Sequence, residues 1–233
     1  MGRQPESGRL AQDAHRMGTA QIGRRVMSGM KELLEAGANW KFLSLLFRRP
    51  SHEVALAAQG LLEEVEPALR ADACAVATLL ADSCSEAAYH AVLGSGGHVS
   101  PYESDYQNDG VRDKGVIIAD VAAFYRAFGF ETSKEMRDVP DHVAIELAFV
   151  SYLKLKQAFA LMDENYGAVE ICREAEEKFL SEHVLTWLRR FLERVREHAA
   201  NDFYEKAARM AERFLAGKEG VASATRDPEG FSP

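Results

Sequence analysis

A glycine-rich loop leads into an acidic, tyrosine-rich turn near the middle of the chain, with the sequence Gly94-Ser-Gly-Gly-His-Val-Ser-Pro-Tyr-Glu-Ser-Asp-Tyr106. An amphipathic segment, Asp120-Val-Ala-Ala-Phe-Tyr-Arg-Ala-Phe-Gly129, follows it. Pro140-Asp-His142 then opens a helix that carries Glu146. None of these segments has the pattern of a nucleophile, a metal cage or a phosphate loop. Their aromatic and acidic side chains are typical of a surface that binds another polypeptide.

Length and composition favour an ordinary globular protein. The chain has 233 residues, of which 47% are hydrophobic and 27% are charged, enough for one or two domains with a well-formed core. A net charge of −8 argues against nucleic-acid binding, which needs a basic surface to replace phosphate counterions. The charge favours a positively charged partner, although it also fits a role in solubility alone.

The cysteines and the N-terminus indicate a reducing compartment. An odd number of cysteines without metal-ligand spacing predicts small buried thiols, at Cys74, Cys84 and Cys172. No apolar run approaches the roughly 18 residues of a membrane span. Residues 1–21 lack the apolar core of a secretion signal, and Lys31 and Glu32 stand where an export signal led by Arg24-Arg25 needs apolar residues. We therefore expect a cytoplasmic protein.

Helical periodicity runs through most of the chain, and no period-2 strand or internal repeat interrupts it. The pattern predicts an all-α fold, a single compact globule of about eight to ten helices. Residues 19–216 form the predicted domain. The polar residues 1–18 are expected to be a flexible extension, and the glycine- and proline-containing residues 217–233 a disordered tail.

Capping residues predict most helix boundaries. The expected N-caps are Asn39, Ser51, Asp113, Ser181 and Asn201. Gly37 is expected to end the first helix, and Gly129 to close the 113–128 helix in a left-handed conformation. Pro140 is expected in the first turn of its helix, with Asp138 or Asp141 as the capping carboxylate.

Two conventional kinds of site are weakly supported. The Gly94–Gly97 loop lacks the preceding strand and the following Gly-Lys-Ser/Thr of a nucleotide-binding loop. His142 with Glu146, and Glu86 with His90, are each four residues apart on one helical face, so a helical metal-binding protein or enzyme is the alternative hypothesis. Ordinary surface hydrogen bonds explain both pairs as well.

The aromatic residues fall into two groups. Tyr102, Tyr106, Tyr125 and Phe128 lie close to acidic residues and fit either a recognition surface or core packing with anchored loops. Core positions are expected for the remaining large aromatics, Trp40, Phe42, Phe47, Trp187 and Phe191.

Five motifs resemble one family in order and spacing. They are Trp40-x6-Phe47-Arg-Arg-Pro50, Pro101-Tyr-Glu-Ser-x-Tyr106, Tyr125-x2-Phe-Gly129, Pro140-Asp-His142-x3-Glu146-Leu147 and Glu182-His183-x3-Trp187-x3-Phe191. Together they resemble the redox-enzyme maturation chaperones, the family of the trimethylamine-N-oxide, dimethyl sulfoxide and nitrate reductase chaperones. The tyrosine turn looks closest to chaperones of dimethylsulfide, ethylbenzene, chlorate and selenate dehydrogenase-type molybdoenzymes.

The resemblance implies an all-helical cytoplasmic chaperone that is not an enzyme and needs no cofactor or metal of its own. Such a protein binds the twin-arginine signal peptide, or the apo catalytic subunit, of a molybdopterin oxidoreductase until the molybdenum cofactor is inserted and the subunit is exported. It implies a monomer or homodimer that does not insert stably into a membrane.

The resemblance also implies the location of the signal-peptide site. Pro140, Asp141 and His142 inherit a place beside the peptide, and the tyrosine turn and the end of the Tyr125–Gly129 helix lie near them. Asp120 and Glu146 are expected to meet the arginines of the peptide. The predicted site comprises Tyr102, Glu103, Tyr106, Asp120, Tyr125, Phe128, Pro140, Asp141, His142 and Glu146.

Overall fold

The computed structural model confirms the all-α prediction. It describes the backbone of residues 7–82, 86–107, 113–132, 139–199 and 201–224, and the side chains of residues 23–81, 86–107, 113–132, 139–199 and 201–217. The described residues form nine α-helices and no β-sheet. Their only extended pairing is an isolated antiparallel bridge between Tyr102 and His142.

The helices range in length from 7 to 40 residues. In chain order they are α1 Ser7–Leu46, α2 His52–Gly60, α3 Arg70–Asp82, α4 Glu86–Val92, α5 Lys114–Phe128, α6 Val143–Met162, α7 Tyr166–Phe179, α8 Leu185–Glu197 and α9 Asp202–Ala224. A 3₁₀ turn at Glu103–Asp105 lies between α4 and α5, and a π-helical segment at Leu180–Val184 joins α7 to α8. No helix in the described part of the chain is both long and apolar enough to cross a membrane.

Helix α6 is the central element, and nearly all of its first half is buried. It runs antiparallel to α1, because its Ser151 hydroxyl donates to the Gly37 carbonyl at 2.8 Å while Ser44 further along α1 donates to the earlier Ala144 carbonyl at 2.7 Å. Each hydroxyl thus finds a hydrogen-bond acceptor on the other helix. This matters because an unpaired hydroxyl buried in the apolar contact between two helices would destabilise the fold.

The expected core aromatics are confirmed. Trp40, Phe42, Phe47, Trp187 and Phe191 are at most 2% exposed. The rings of Phe47 and Phe191 meet edge to face at 5.2 Å, a favoured aromatic geometry. The residue directly after α1 therefore packs against α8, which lies far along the sequence.

Several predicted caps are confirmed. Ser51 caps α2 by accepting from the Val54 amide at 3.2 Å, and Asp113 caps α5 by accepting from the Gly115 amide. Gly129 closes α5 with a φ of 67°, in the left-handed region where glycine is favoured. At the start of α9, Asn201 accepts from the backbone amide of residue 204 at 3.3 Å.

The predicted break at residues 37–39 is wrong, because α1 continues to Leu46. Gly37 lies inside the helix and faces α6, where an added Cβ would stand 3.4 Å from the Cβ of Lys154. The glycine therefore allows close helix packing and does not end the helix. Asn39 is buried and accepts from the Glu66 amide at 3.0 Å, so it stabilises a turn distant in sequence.

Two further boundary predictions are wrong. Ser181 lies inside the π-helical segment and donates to the Lys178 carbonyl, so it caps nothing. Pro140 precedes α6 in a turn, and the N-cap is His142, whose Nδ1 accepts from the Ala144 amide at 3.1 Å. Asp138, the other proposed cap, lies outside the described residues.

The cysteines and the chain ends agree with the sequence only in part. Cys172 is buried as predicted, but Cys74 is exposed and Cys84 lies outside the described residues. Helix α1 begins at Ser7 and α9 extends to Ala224. The flexibility of residues 1–18 and of the 217–233 tail stays a prediction.

Gly37→Leu should destabilise the fold by about 1–3 kcal/mol, because the larger side chain forces α1 away from α6. The midpoint of urea unfolding measures this change. Gly23→Leu in the same helix is the matched control, since a Cβ at Gly23 meets no atom within 4 Å. Equal midpoints for the two variants would contradict the packing role of Gly37.

Candidate functional site

Two of the turns singled out in the sequence pair directly with each other. Tyr102 and His142 form the antiparallel bridge, and the Glu103 amide donates to the Asp141 carbonyl at 3.0 Å. The Asp141 carboxylate also accepts from the Ser104 amide at 3.1 Å. The tyrosine turn and the start of α6 therefore form one unit, although nearly forty residues separate them.

Helix α5 joins this unit through Tyr125. The Tyr125 hydroxyl donates to the Pro140 carbonyl at 2.8 Å, and its ring packs 4.8 Å from Phe149. Burial, and then the nearby charge of Glu146, raise the pKa of Tyr125 well above its ordinary value, so the phenol keeps the proton that it donates.

A buried pair of carboxyl groups lies beneath the two turns. Glu103 and Glu146 are at most 1% exposed. His183 Nδ1 lies 3.0 Å from one Glu103 oxygen and 3.1 Å from the other, and Trp187 Nε1 donates to Glu146 Oε2 at 3.0 Å. Burial, the adjacent charge of Glu103 and a hydrogen bond with that carboxylate raise the pKa of Glu146 well above its ordinary value. Glu146 therefore holds its proton more tightly than an ordinary glutamic acid, as expected when two carboxyl groups share a buried site.

His183 connects the buried pair to the surface. It lies in the π-helical segment, a distortion often found at functional sites, and its ring packs 5.1 Å from Phe179. Its Nε2 lies 3.9 Å from Asp120 Oδ2, and the Asp120 side chain is 51% exposed. The motif comparison included His183, but its position in the site was missed because nothing in the local sequence predicts the π turn.

The ten predicted site residues divide by exposure. Asp120 is exposed, and Tyr102, Tyr106, Phe128 and Pro140 are half-buried. The other five are buried and belong to the hydrogen-bonded unit just described: Glu103, Tyr125, Asp141, His142 and Glu146. The structure thus brings the motifs together while leaving only half of the residues accessible. Their contact with a peptide stays a prediction.

Tyr106 sits between the surface and the core. Its hydroxyl donates to the Ser100 carbonyl at 2.9 Å, and its ring lies 5.1 Å from the Trp187 ring. Burial raises its pKa to about 12. One face of this tyrosine is therefore structural, and the remainder is open to a partner.

A cavity of about 530 Å³ that the sequence did not predict lies between α1, α6 and the residues after α5. Its walls are mostly apolar and include Leu34, Leu61, Phe130, Tyr152 and Leu155. Two basic residues of α1 and the turn after it, Lys41 and Arg48, also line it. The sequence signal was Lys41, which interrupts the apolar run 40–47.

The cavity adjoins one predicted element, the C-terminal end of α5. The Phe128 carbonyl accepts from the Tyr152 hydroxyl and from Lys156 Nζ, each at 3.1 Å. Because Tyr152 is part of the cavity wall, the end of α5 is fixed beside the opening.

The alternative metal site has little support in the described residues. No group of three or more histidine, cysteine, aspartate or glutamate side chains among them is arranged to hold a metal ion. His142 Nδ1 and Glu146 Oε2 already accept hydrogen bonds from the protein. Glu86 and His90 lie 3.6 Å apart at the surface, in agreement with the simpler interpretation.

Comparison with known proteins identifies the family. The family model described as "Nitrate reductase delta subunit" matches residues 52–193, well over half of the chain. This chain belongs to the nitrate reductase delta subunit family. The matched region covers both paired turns, α5, α6 and the π-helical segment with His183.

Several relatives of this chain are named as chaperones. Chaperone protein TorD of Vibrio cholerae is 30% identical over 115 residues, which cover 49% of this chain and 50% of that protein. The selenate reductase assembly chaperone protein of Thauera selenatis is 34% identical over 113 residues. The chlorate reductase assembly chaperone protein of Ideonella dechloratans is 32% identical over 113 residues. Each alignment covers 47% of this chain and 56% of the relative.

These comparisons confirm the resemblance to redox-enzyme maturation chaperones and agree with a protein that is not an enzyme. The chain spans about half the length of the curated relatives it matches.

The raised pKa of Glu146 predicts a pH-dependent stability. The unfolded chain ionises this carboxyl near its ordinary pKa of 4.5, whereas the folded protein keeps the proton, so stability falls as pH rises above that value. Glu146→Gln removes this loss. The free energy of unfolding of the variant relative to wild type should therefore be about 1 kcal/mol larger at pH 8 than at pH 5. Urea unfolding at the two pH values measures the difference.

Two variants control this experiment. The exposed Glu174→Gln on α7 should show no such pH dependence. Glu146→Ala should destabilise at both pH values by about 1–3 kcal/mol, because the buried Trp187 N–H loses its acceptor. A difference between Glu146→Gln and wild type that stays constant with pH would show that Glu146 is ionised in the folded state.

Proposed function

We propose that this chain is an assembly chaperone for the catalytic subunit of a molybdopterin oxidoreductase. In this proposal it acts in the cytoplasm and binds the twin-arginine signal peptide of the apo subunit. The bound subunit is held until the molybdenum cofactor is inserted and export can begin. Membership of the delta subunit family supports the chaperone role, and the relatives named for selenate and chlorate reductase assembly support a molybdoenzyme partner.

The observation that carries the proposal is the pairing of the tyrosine turn with the turn before α6. This pairing presents Tyr102 and Pro140 at the surface, both half-buried. The exposed Asp120 carboxylate is linked to the same unit through His183. A signal peptide offers arginines followed by an apolar segment, and a surface with one accessible carboxylate beside aromatic and proline side chains complements both parts.

The buried members of the predicted site have a different role in this proposal. Glu103, Asp141, His142 and Glu146 support the surface from beneath, because each is occupied by hydrogen bonds to other parts of the protein. They fix the relative positions of α5, α6 and the tyrosine turn. The exposed and half-buried residues make the direct contacts with the peptide.

Asp120→Asn should weaken binding of the signal peptide about two- to five-fold, the value expected for one exposed ion pair. Isothermal titration calorimetry against the signal peptide of a molybdoenzyme encoded beside this protein measures the affinity, which we expect near the micromolar range. Asp163→Asn, at the exposed end of α6, is the matched control. No preference for the twin-arginine peptide over its twin-lysine form would refute recognition of the arginine pair.

Substitutions at Asp141 separate support from direct contact. Asp141→Asn keeps an oxygen that accepts from the Ser104 amide and should retain most of the peptide affinity. Asp141→Ala loses that acceptor, should destabilise the protein by about 1–3 kcal/mol, and should weaken peptide binding while helicity is retained. Calorimetry and thermal unfolding measure the two effects. If both variants lose binding equally, the Asp141 charge itself contacts the peptide.

A further inference from the structure

The cavity between α1 and α6 is lined by a half-buried cation, Lys41, which forms no ion pair with any described residue. Burial, and then the nearby charge of Arg48, lower the pKa of Lys41. Glu64 and Glu131 also line the cavity, but among the described residues neither forms an ion pair with Lys41 or Arg48. A partly buried ammonium beside a guanidinium is unfavourable. An anion placed between the two groups would remove that cost.

An apolar stripe leads out of the cavity along the surface of α6. Leu155 lines the cavity, and Phe159 and Met162 follow on the same helical face at the spacing of successive turns. These three side chains are 36%, 58% and 55% exposed. Exposed apolar groups in a continuous row are characteristic of docking surfaces.

Helix α1 contributes a parallel row. Leu34 lines the cavity with Leu155, and Met27 lies two turns earlier on the same face and is 60% exposed. The antiparallel arrangement of α1 and α6 places Met27 near the Met162 end of the stripe. The two rows form a shallow apolar track that begins at the Lys41–Arg48 cations and runs outward along the helix pair.

We infer that the cavity and this track bind an apolar segment of the client polypeptide that carries an aspartate or glutamate, with the carboxylate between Lys41 and Arg48. The inference rests on the proposed function and names a second contact with the same client. The track beyond the cavity favours a polypeptide, because it extends about 10 Å along α6 past the volume that a small molecule would fill. Lys41 and Arg48 disfavour an arginine pair between them, although Glu64 and Glu131 also line the cavity, and we therefore assign the segment to a part of the client other than its leader.

The test uses overlapping 18-residue peptides that cover the catalytic subunit of the molybdoenzyme encoded beside this protein. Binding of each fluorescently labelled peptide to the full chain is measured by anisotropy. Lys41→Met keeps most of the apolar stem and removes the charge, and it should weaken the best apolar, acidic peptide about ten-fold. Lys31→Met is the control, since Lys31 is exposed on α1 and, among the described residues, its one ion pair is with Glu35.

A double-mutant cycle shows whether Lys41 binds the carboxylate. Changing the acidic residue of the peptide to its amide should weaken binding to wild type about ten-fold and have little effect on Lys41→Met. Lys41→Gln serves as a second variant should Lys41→Met alter the thermal unfolding midpoint. Independent, additive losses would overturn the assignment of the carboxylate to this cavity.

Phe159→Ser tests the track separately. It should weaken binding of the same peptide several-fold, whereas Leu56→Ser should not, because Leu56 is similarly exposed at 53% but lines a different cavity.

If the wild-type protein binds neither the leader nor any other peptide, the proposed function itself fails. If the leader binds but no peptide responds to Lys41 or Phe159 substitution, this inference alone fails. If Phe159→Ser abolishes a dimer and leaves peptide binding unchanged, the track serves self-association and the inference of a client-binding track is overturned.

Discussion

The burial of carboxyl groups beneath two surface turns is the constraint on which the candidate site depends. A carboxylate removed from water must find donors within the protein or take up a proton. Here the Asp141 carboxylate accepts from the Ser104 amide, Glu103 is held by His183, and burial, followed by the charge of Glu103, raises the pKa of Glu146 well above its ordinary value. These contacts hold the tyrosine turn, α5, α6 and the π-helical segment in one arrangement, and the surface above them follows from it.

This arrangement also separates two kinds of residue that a sequence motif places together. Pro140, Asp141 and His142 are adjacent in the chain, yet only Pro140 is accessible. The two buried residues have structural roles: Asp141 accepts a hydrogen bond from the tyrosine turn, and His142 is the N-cap of α6. A motif can therefore mark a binding surface without each of its members touching the ligand.

Local patterns predicted the elements of the fold better than they predicted its junctions. Ser51, Asp113 and Gly129 were recognised because capping depends on residues adjacent in sequence. Gly37 and Ser181 were misjudged because their roles depend on distant or non-standard structure, a close contact with α6 and a π turn. The family resemblance predicted that the two turns lie near each other, but it did not predict the backbone hydrogen bonds that pair them. The cavity was not predicted, because its walls come from four separate parts of the chain and only Lys41 indicates it locally.

The N-cap of α6 has a consequence for the tautomer of a buried histidine. His142 Nδ1 accepts a hydrogen bond from the Ala144 amide, so that nitrogen must keep its lone pair and the imidazole must stay neutral for the cap to persist. Histidine is the side chain most often responsible for pH sensing near neutrality, but this one is committed to starting a helix. The proton of the neutral ring is therefore on Nε2, and the first turn of the central helix sets the tautomer of His142.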